Sequence, residues 1–192
     1  MNGAREKILN RVRNAMRTPA PQPVAPTGVP VFAPVTNPEQ RFREEFTALK
    51  GEIIESLEKL REFLASFSKI ATDGSDRVKQ AIGVGNGPLR EADLGVTACD
   101  CLIAQMGSIV VSPTTAGGRV LSVLPAVHLV IAHRNQILPD LASALAFIRR
   151  RYDGQWPSTL SIITGPSRTG DIEKVLVLGA HGPKRVAVSF VE

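Results

Sequence analysis

One stretch concentrates the groups that could hold an anion: Thr164-Gly165-Pro166-Ser167-Arg168-Thr169-Gly170-Asp171, placed directly after the apolar run Leu160–Ile163. A Gly-Pro turn ends the expected strand, and a helix is expected from Asp171 to Leu178. Open α/β sheets bind ligands outside the carboxyl ends of their strands. A helix N-terminus adds free N–H donors and a positive dipole end. Thr164, Gly165, Ser167, Arg168 and Thr169 are therefore candidates for holding a carboxylate or a phosphate. Two readings stay open: Thr169 or Asp171 caps the helix with help from Glu173, or the same loop both caps and touches a ligand.

A second cluster is Gly95-Val96-Thr97-Ala98-Cys99-Asp100-Cys101. Thr97 offers a hydroxyl to a ligand, and Asp100 is either an acid/base group or a cap. The expectation is that the Thr164–Thr169 loop converges with Thr97 on an electropositive pocket for a small acid. A third group is Gly117-Gly118-Arg119 with Ser122, Pro125 and His128. Paired glycines permit close approach of backbone to ligand, and Arg119 adds a cation. His128 sits in an apolar run, as a hydrogen-bonded core residue or as a site residue. His181, in Gly179-Ala180-His181-Gly182-Pro183, stands at an expected helix exit, where it suits the negative end of the dipole.

Several chemistries find no support in the spacing. The three histidines, His128, His133 and His181, show no zinc pattern, and H-E-x-x-H, G-x-S-x-G and P-loop motifs are missing. Gly83-x-Gly85-x-Gly87 lacks the third spacing of a dinucleotide fingerprint. Cys99 and Cys101 would point about 200° apart on a helix, and an iron–sulfur cluster needs about four thiolates. No metal or cofactor is therefore expected on this chain. Two thiols in a chain of this size suit a reducing compartment, so a cytoplasmic location is expected. No run of about 20 apolar residues is present to span a membrane. The formal charge is +5, gathered near Arg5–Arg17 and at Arg149-Arg150-Arg151. Nucleic-acid binding would interleave such cations with exposed aromatics, and none are interleaved here.

These groups need a frame. Hydrophobic residues make up 43% of the 192 and aromatics 5%, which points to an aliphatic core of Val/Ile/Leu strands under Leu/Ala helices. Residues 1–17 read as an amphipathic helix with Ile8, Leu9, Val12, Ala15 and Met16 on one face. Residues 18–38 hold seven prolines and read as an extended arm. Residues 39–192 read as one domain, opening with a long helix over 39–70 whose apolar residues step by three and four. Gly51 is its weak point, at about 1 kcal/mol relative to Ala.

Beyond Ile70 the chain reads as irregular as far as Asp93. Strands are then expected at Leu94–Thr97, Gly107–Ser112, Val127–Ala132, Leu160–Thr164 and Val186–Val191. Helices are expected at Ala98–Met106, from Pro139 with Leu141, Leu145 and Ile148 inward, and at Asp171–Leu178. Such alternation predicts an α/β fold with a mostly parallel sheet and flanking helices.

Three segments together resemble a known family: Gly95-Val96-Thr97 with Asp100 and Ile103-Ala104-Gln105-Met106-Gly107-Ser108; Ser122-Val123-Leu124-Pro125-Ala126-Val127-His128; and Thr164–Glu173 with Leu178-Gly179-Ala180-His181-Gly182-Pro183. They are similar to signatures of the lactate-utilisation protein C (LUD-domain) family and run from near Asp93 to the end. The resemblance implies a fold related to the NagB/RpiA/CoA-transferase superfamily. It also implies a component of an L-lactate utilisation system, oxidising lactate to pyruvate with partner proteins that carry the iron–sulfur clusters. Gln105 and Met106 stand where the family carries a glutamate–threonine pair, and Ala98 where it carries glycine. Gln105 joins the ligand-binding candidates by position.

Two alternatives remain: a non-catalytic ligand-binding or regulatory module, and a free-standing enzyme acting on phosphosugar or acyl-CoA substrates. Whether this chain is itself catalytic stays open, as does a homo-oligomer.

Overall fold

The computed structural model describes residues 2–17, 32–83, 85, 87–169, 177–179 and 181–191. The chain divides into two compact units, Met1–Ala33 and Pro34–Glu192. In the first, α1 (Asn2–Met16) is a helix with Ile8, Val12 and Met16 exposed. Most of the proline arm lies outside the described residues.

The second unit opens with α2 (Pro38–Ala48), where Asn37 accepts from the Gln40 amide at 3.1 Å and Pro38 occupies the first turn. Its Phe42 and Phe46 are fully buried and stacked, with ring centroids 5.3 Å apart. The helix expected over 39–70 does not continue. Lys50 turns to φ 69°, and Gly51 packs so tightly that an added Cβ would lie 2.5 Å from the Phe46 ring. The chain then forms β1 (Glu52–Ile54), after which Ser56 caps α3 (Leu57–Ala65) by accepting from Lys59 at 3.2 Å. The three-and-four spacing is real in each half, but a strand separates the halves. The β-branched pair Ile53-Ile54 and the capping serine are what break it.

Order continues through the region expected to be irregular. β2 (Ile70–Thr72) is followed by α4 (Asp76–Ile82), capped by Ser75, and by a single 3-10 turn at Leu89–Glu91. β3 (Leu94–Ala98) lies where a strand was expected. The helix expected over Ala98–Met106 is instead β4 (Cys101–Ile103) and a 3-10 turn. β5 (Ser108–Val111), β6 (Val127–His133) and the short β7 (Ile137–Leu138) come next. The helix expected to open at Pro139 begins two residues later: Asp140 caps α5 (Leu141–Arg151), accepting from the Ser143 amide at 2.7 Å, and Pro139 precedes the cap. Ile148 of α5 is buried, but Leu145 is exposed.

The chain ends with β8 (Ser161–Ile163), β9 (Arg168–Thr169), β10 (Val177–Leu178) and β11 (Arg185–Val191). The helix expected at Asp171–Leu178 falls mostly outside the described residues. Its last two residues are strand, paired antiparallel with Arg168 and Thr169.

Five strands in the order β1-β11-β6-β3-β2 form a wholly parallel sheet. Its middle strands are buried on both faces, which is why they read as continuous apolar runs. One face packs on α3 and α4 through Leu60 and Val78. The other packs on α2 and on a second sheet, β7-β4-β5-β8, through Phe42, Phe46, Leu102 and Ile109. Helix α5 covers the far side of that second sheet. The α/β architecture with a mostly parallel central sheet is as expected. The second sheet, with antiparallel β4–β5 and β5–β8 pairings, is an addition.

Candidate functional site

In a parallel sheet, residues in register on neighbouring strands share a face. Ala71, Gly95, His128 and Val186 form one such row across β2, β3, β6 and β11. Thr97 stands two residues further along β3, on the same face. Its hydroxyl meets His128 Nε2 at 2.9 Å, and both residues are fully buried. His128 Nδ1 has no hydrogen-bond partner among the described residues, an arrangement that costs about 1–3 kcal/mol in a buried group. Burial pushes the His128 pKa down to about 4, so the ring is neutral at pH 7.

The carboxyl ends of β2, β3 and β6 carry a second polar constellation. Asp73, just past β2, accepts from the amides of Ser75 at 2.8 Å and Ala98 at 2.6 Å. Asp100, just past β3, is fully buried yet well partnered. Its carboxylate accepts from Thr115 at 2.8 Å and Tyr152 at 2.7 Å, and pairs with Arg151 at 3.2 Å. Because Tyr152 gives its proton to Asp100, Ser112, at 2.7 Å from the Tyr152 hydroxyl, is left as donor to it. Gln136, beyond β6, donates to the Cys99 and Asp100 carbonyls and accepts from Arg77 at 2.8 Å. Asp100 is thus an internal anchor, tying the turn at Thr115 and the end of α5 to the sheet.

Between β5 and β6 a strap of 14 residues, 113–126, runs without helix or strand. Gly117 and Gly118 both have positive φ, and a Cβ on Gly117 would lie 2.7 Å from the Asp73 backbone. Further along, Leu121 lies against β3: a Cβ on Gly95 would come within 2.5 Å of the Leu121 carbonyl oxygen. One side of the strap borders a cleft of about 260 Å³ lined by Ala71, Thr72, Gly85, Gly87, Leu89, Gly117 and Leu121. On another side Arg119 lines a small crevice with Ser112, Ser122, Thr159 and Ser161. Arg119 is exposed and has no acidic partner among the described residues.

The Thr164–Thr169 loop is elsewhere. Ser167 donates its amide to Pro183 at 2.9 Å, just before β11 begins. The Arg168 guanidinium donates to the Leu49 carbonyl, just before β1. Both are amino ends of the parallel sheet. Thr164 bonds Ser108 at 2.9 Å, and Gly165 is buried against Leu49. The expected convergence of this loop with Thr97 is therefore not formed. Thr97 is sealed inside the sheet near its opposite edge. Thr169 contributes backbone to β9, and His181 is exposed before β11. Gln105 is half-buried in the turn after β4, its backbone N–H donating to the Pro139 carbonyl at 3.0 Å.

The family model for the LUD domain matches residues 47–191, a span that contains every described strand of both large sheets. The chain belongs to the LUD-domain family. Lactate utilization protein C of Bacillus licheniformis is 36% identical to it over 104 residues, 53% of this chain and 43% of that protein. The same-named protein of Bacillus subtilis is 32% identical over 123 residues, 63% and 48% of the two chains. The chain spans about half the length of these curated relatives. A crystal structure of a DUF162 family protein from Deinococcus radiodurans shares the fold, with a TM-score of 0.56 and 17% identity over 81% of this chain and 96% of that one.

Within this LUD domain, sequence reasoning missed Asp73, Ser112, Thr115, Gln136, Arg151 and Tyr152. Asp73 was detectable as the acid between a strand and a capping Ser75. The partners of Asp100 lie 15 to 52 residues away, and only the fold brings them in. Burial raises both thiols, that of Cys101 to about 12, which makes each a poor nucleophile or metal ligand at neutral pH.

Proposed function

We propose that this LUD-domain chain is a component of an L-lactate utilisation system, in which lactate is oxidised to pyruvate with iron–sulfur partner proteins. In this reading the partners carry the redox centres, and this chain holds a small carboxylate. The likeness to the lactate utilization protein C relatives carries the lactate assignment. Arg119 supports the anion: among the described residues it has no acidic partner, and it is set beside four hydroxyl groups. A charge-assisted hydrogen bond there would hold a carboxylate more firmly than a neutral one.

Reconstitution tests the assignment. The purified chain is combined with its candidate iron–sulfur partners and lactate-dependent dye reduction is followed. The expected result is a rate that falls when this chain is withheld. A rate indifferent to its presence overturns the proposal.

A further inference from the structure

Three features of the strap region belong to no role assigned above: the cleft of about 260 Å³, the orphaned ring nitrogen of His128, and the glycine between them. They share one row of the sheet. Ala71 lines the cleft, His128 stands two strands away, and Gly95 lies between the two. No side chain on β3 separates the cleft from the histidine. What lies over Gly95 is the strap, through Leu121, itself part of the cleft wall, and the Pro125 ring, 3.0 Å from where a Cβ on Gly95 would stand.

We propose that the cleft over Ala71 and the His128–Thr97 pair are two halves of one binding site for a small 2-hydroxy or 2-oxo carboxylate, divided in this conformation by the 113–126 strap. The strap has the makings of a lid. Irregular loops of this length in a packed domain are commonly lids or binding loops. Gly117 and Gly118 supply left-handed backbone where it must pivot, and Val120, Val123 and Leu124 are exposed along its outer run. Lifting Leu121 and Pro125 from Gly95 joins the cleft to the histidine.

The joined site has the right parts for such an acid. His128 Nδ1, without a hydrogen-bond partner among the described residues in the closed form, takes the hydroxyl or keto oxygen. Ala71, Leu89 and Leu121 offer apolar surface to a short alkyl group. Arg119 is the strap's single charged residue and lies two positions before Leu121; it borders the Ser112–Ser161 crevice in this conformation, and movement of the strap is what brings the cation to the carboxylate. A cleft of this size is just below the roughly 300 Å³ of ordinary small-molecule sites, ample for a three-carbon acid. The choice of acid rests on the lactate reading above; the site itself does not.

Imidazole nitrogen NMR of the full chain, labelled at its three histidines, tests this directly. Variants at the two histidines outside the site, His133→Asn and His181→Asn, assign His128 by elimination. L-lactate, pyruvate and a panel of other short hydroxy and oxo acids are titrated, with hydrogen exchange of the strap amides measured in parallel. The expected result is a saturable shift of the His128 ring signals and altered exchange over 113–126. If another acid of the panel gives that response while lactate and pyruvate do not, the site stands and the lactate reading falls. If calorimetry shows lactate binding while His128 and the strap stay unchanged, the lactate reading stands and this site is overturned. Silence of His128 toward every acid of the panel also overturns it.

Discussion

The Tyr152 hydroxyl donates to the buried Asp100 carboxylate at 2.7 Å, joining the end of α5 to the carboxyl end of β3. Asp100 also takes Thr115 and Arg151, so one carboxylate holds the second sheet, α5 and the root of the strap together. Tyr152→Phe is expected to cost about 1–2 kcal/mol, since it removes one charged hydrogen bond and leaves the Ser112 hydroxyl only its longer contact with Thr115, at 3.4 Å. Asp100→Ala is expected to cost about 3 kcal/mol or more, because several buried donors lose their acceptor. Urea denaturation of the two variants measures both; equal stabilities would contradict the ranking.

Gly51→Ala separates the observed fold from the continuous helix suggested by periodicity. Inside one long helix, that substitution would stabilise by about 1 kcal/mol. Here the new methyl meets the fully buried Phe46 ring at 2.5 Å, and overpacking costs about 1–3 kcal/mol. A lowered thermal midpoint is expected, and a raised one would favour the single helix.

His128 makes stability depend on pH. Its folded pKa of about 4 lies below the ordinary 6.5, so between these values the unfolded chain binds more protons. Stability is complete above about 6.5 and is lost as pH falls toward 4, by about 3 kcal/mol in all. Denaturation midpoints measured from pH 7 to pH 5 should fall, and should fall less in His128→Gln. Identical slopes would remove the histidine from the account.

Arg168→Ala should act on stability rather than on ligand. The guanidinium caps the Leu49 carbonyl at the C-terminal end of α2, a contact on an exposed side chain worth about 0.5–1 kcal/mol. Small-acid affinity is expected to stay unchanged in this variant, as read by calorimetry. A loss of affinity without a loss of stability would return the arginine to the site.

The strands β3, β6 and β11 were legible because central strands of a parallel sheet are apolar throughout, and β5 because it lies fully buried in the middle of the second sheet. Residues 98–106 misled because Ala-Cys-Asp-Cys-Leu-Ile-Ala-Gln-Met contains neither proline nor glycine. Its turn at Asp100 comes from distant partners, with the Asp100 amide on Val110 and Gln136 on the Cys99 and Asp100 carbonyls. The candidate site was legible in its parts only. Thr97, Arg119, Ser122 and His128 stood out by type, but register alone puts Thr97 beside His128. The Thr164–Thr169 loop follows β8 of the second sheet and lies at the amino ends of the parallel strands, because its turn is fixed by Pro183 and Leu49.

Calorimetric titration of L-lactate and pyruvate into the isolated chain, beside its Arg119→Ala variant, tests most directly the claim that this domain holds a small carboxylate. Saturable binding is predicted, weakened in the variant by about 1–3 kcal/mol, the worth of a charged hydrogen bond. Heats of dilution alone from both acids, or an affinity indifferent to Arg119, would contradict it.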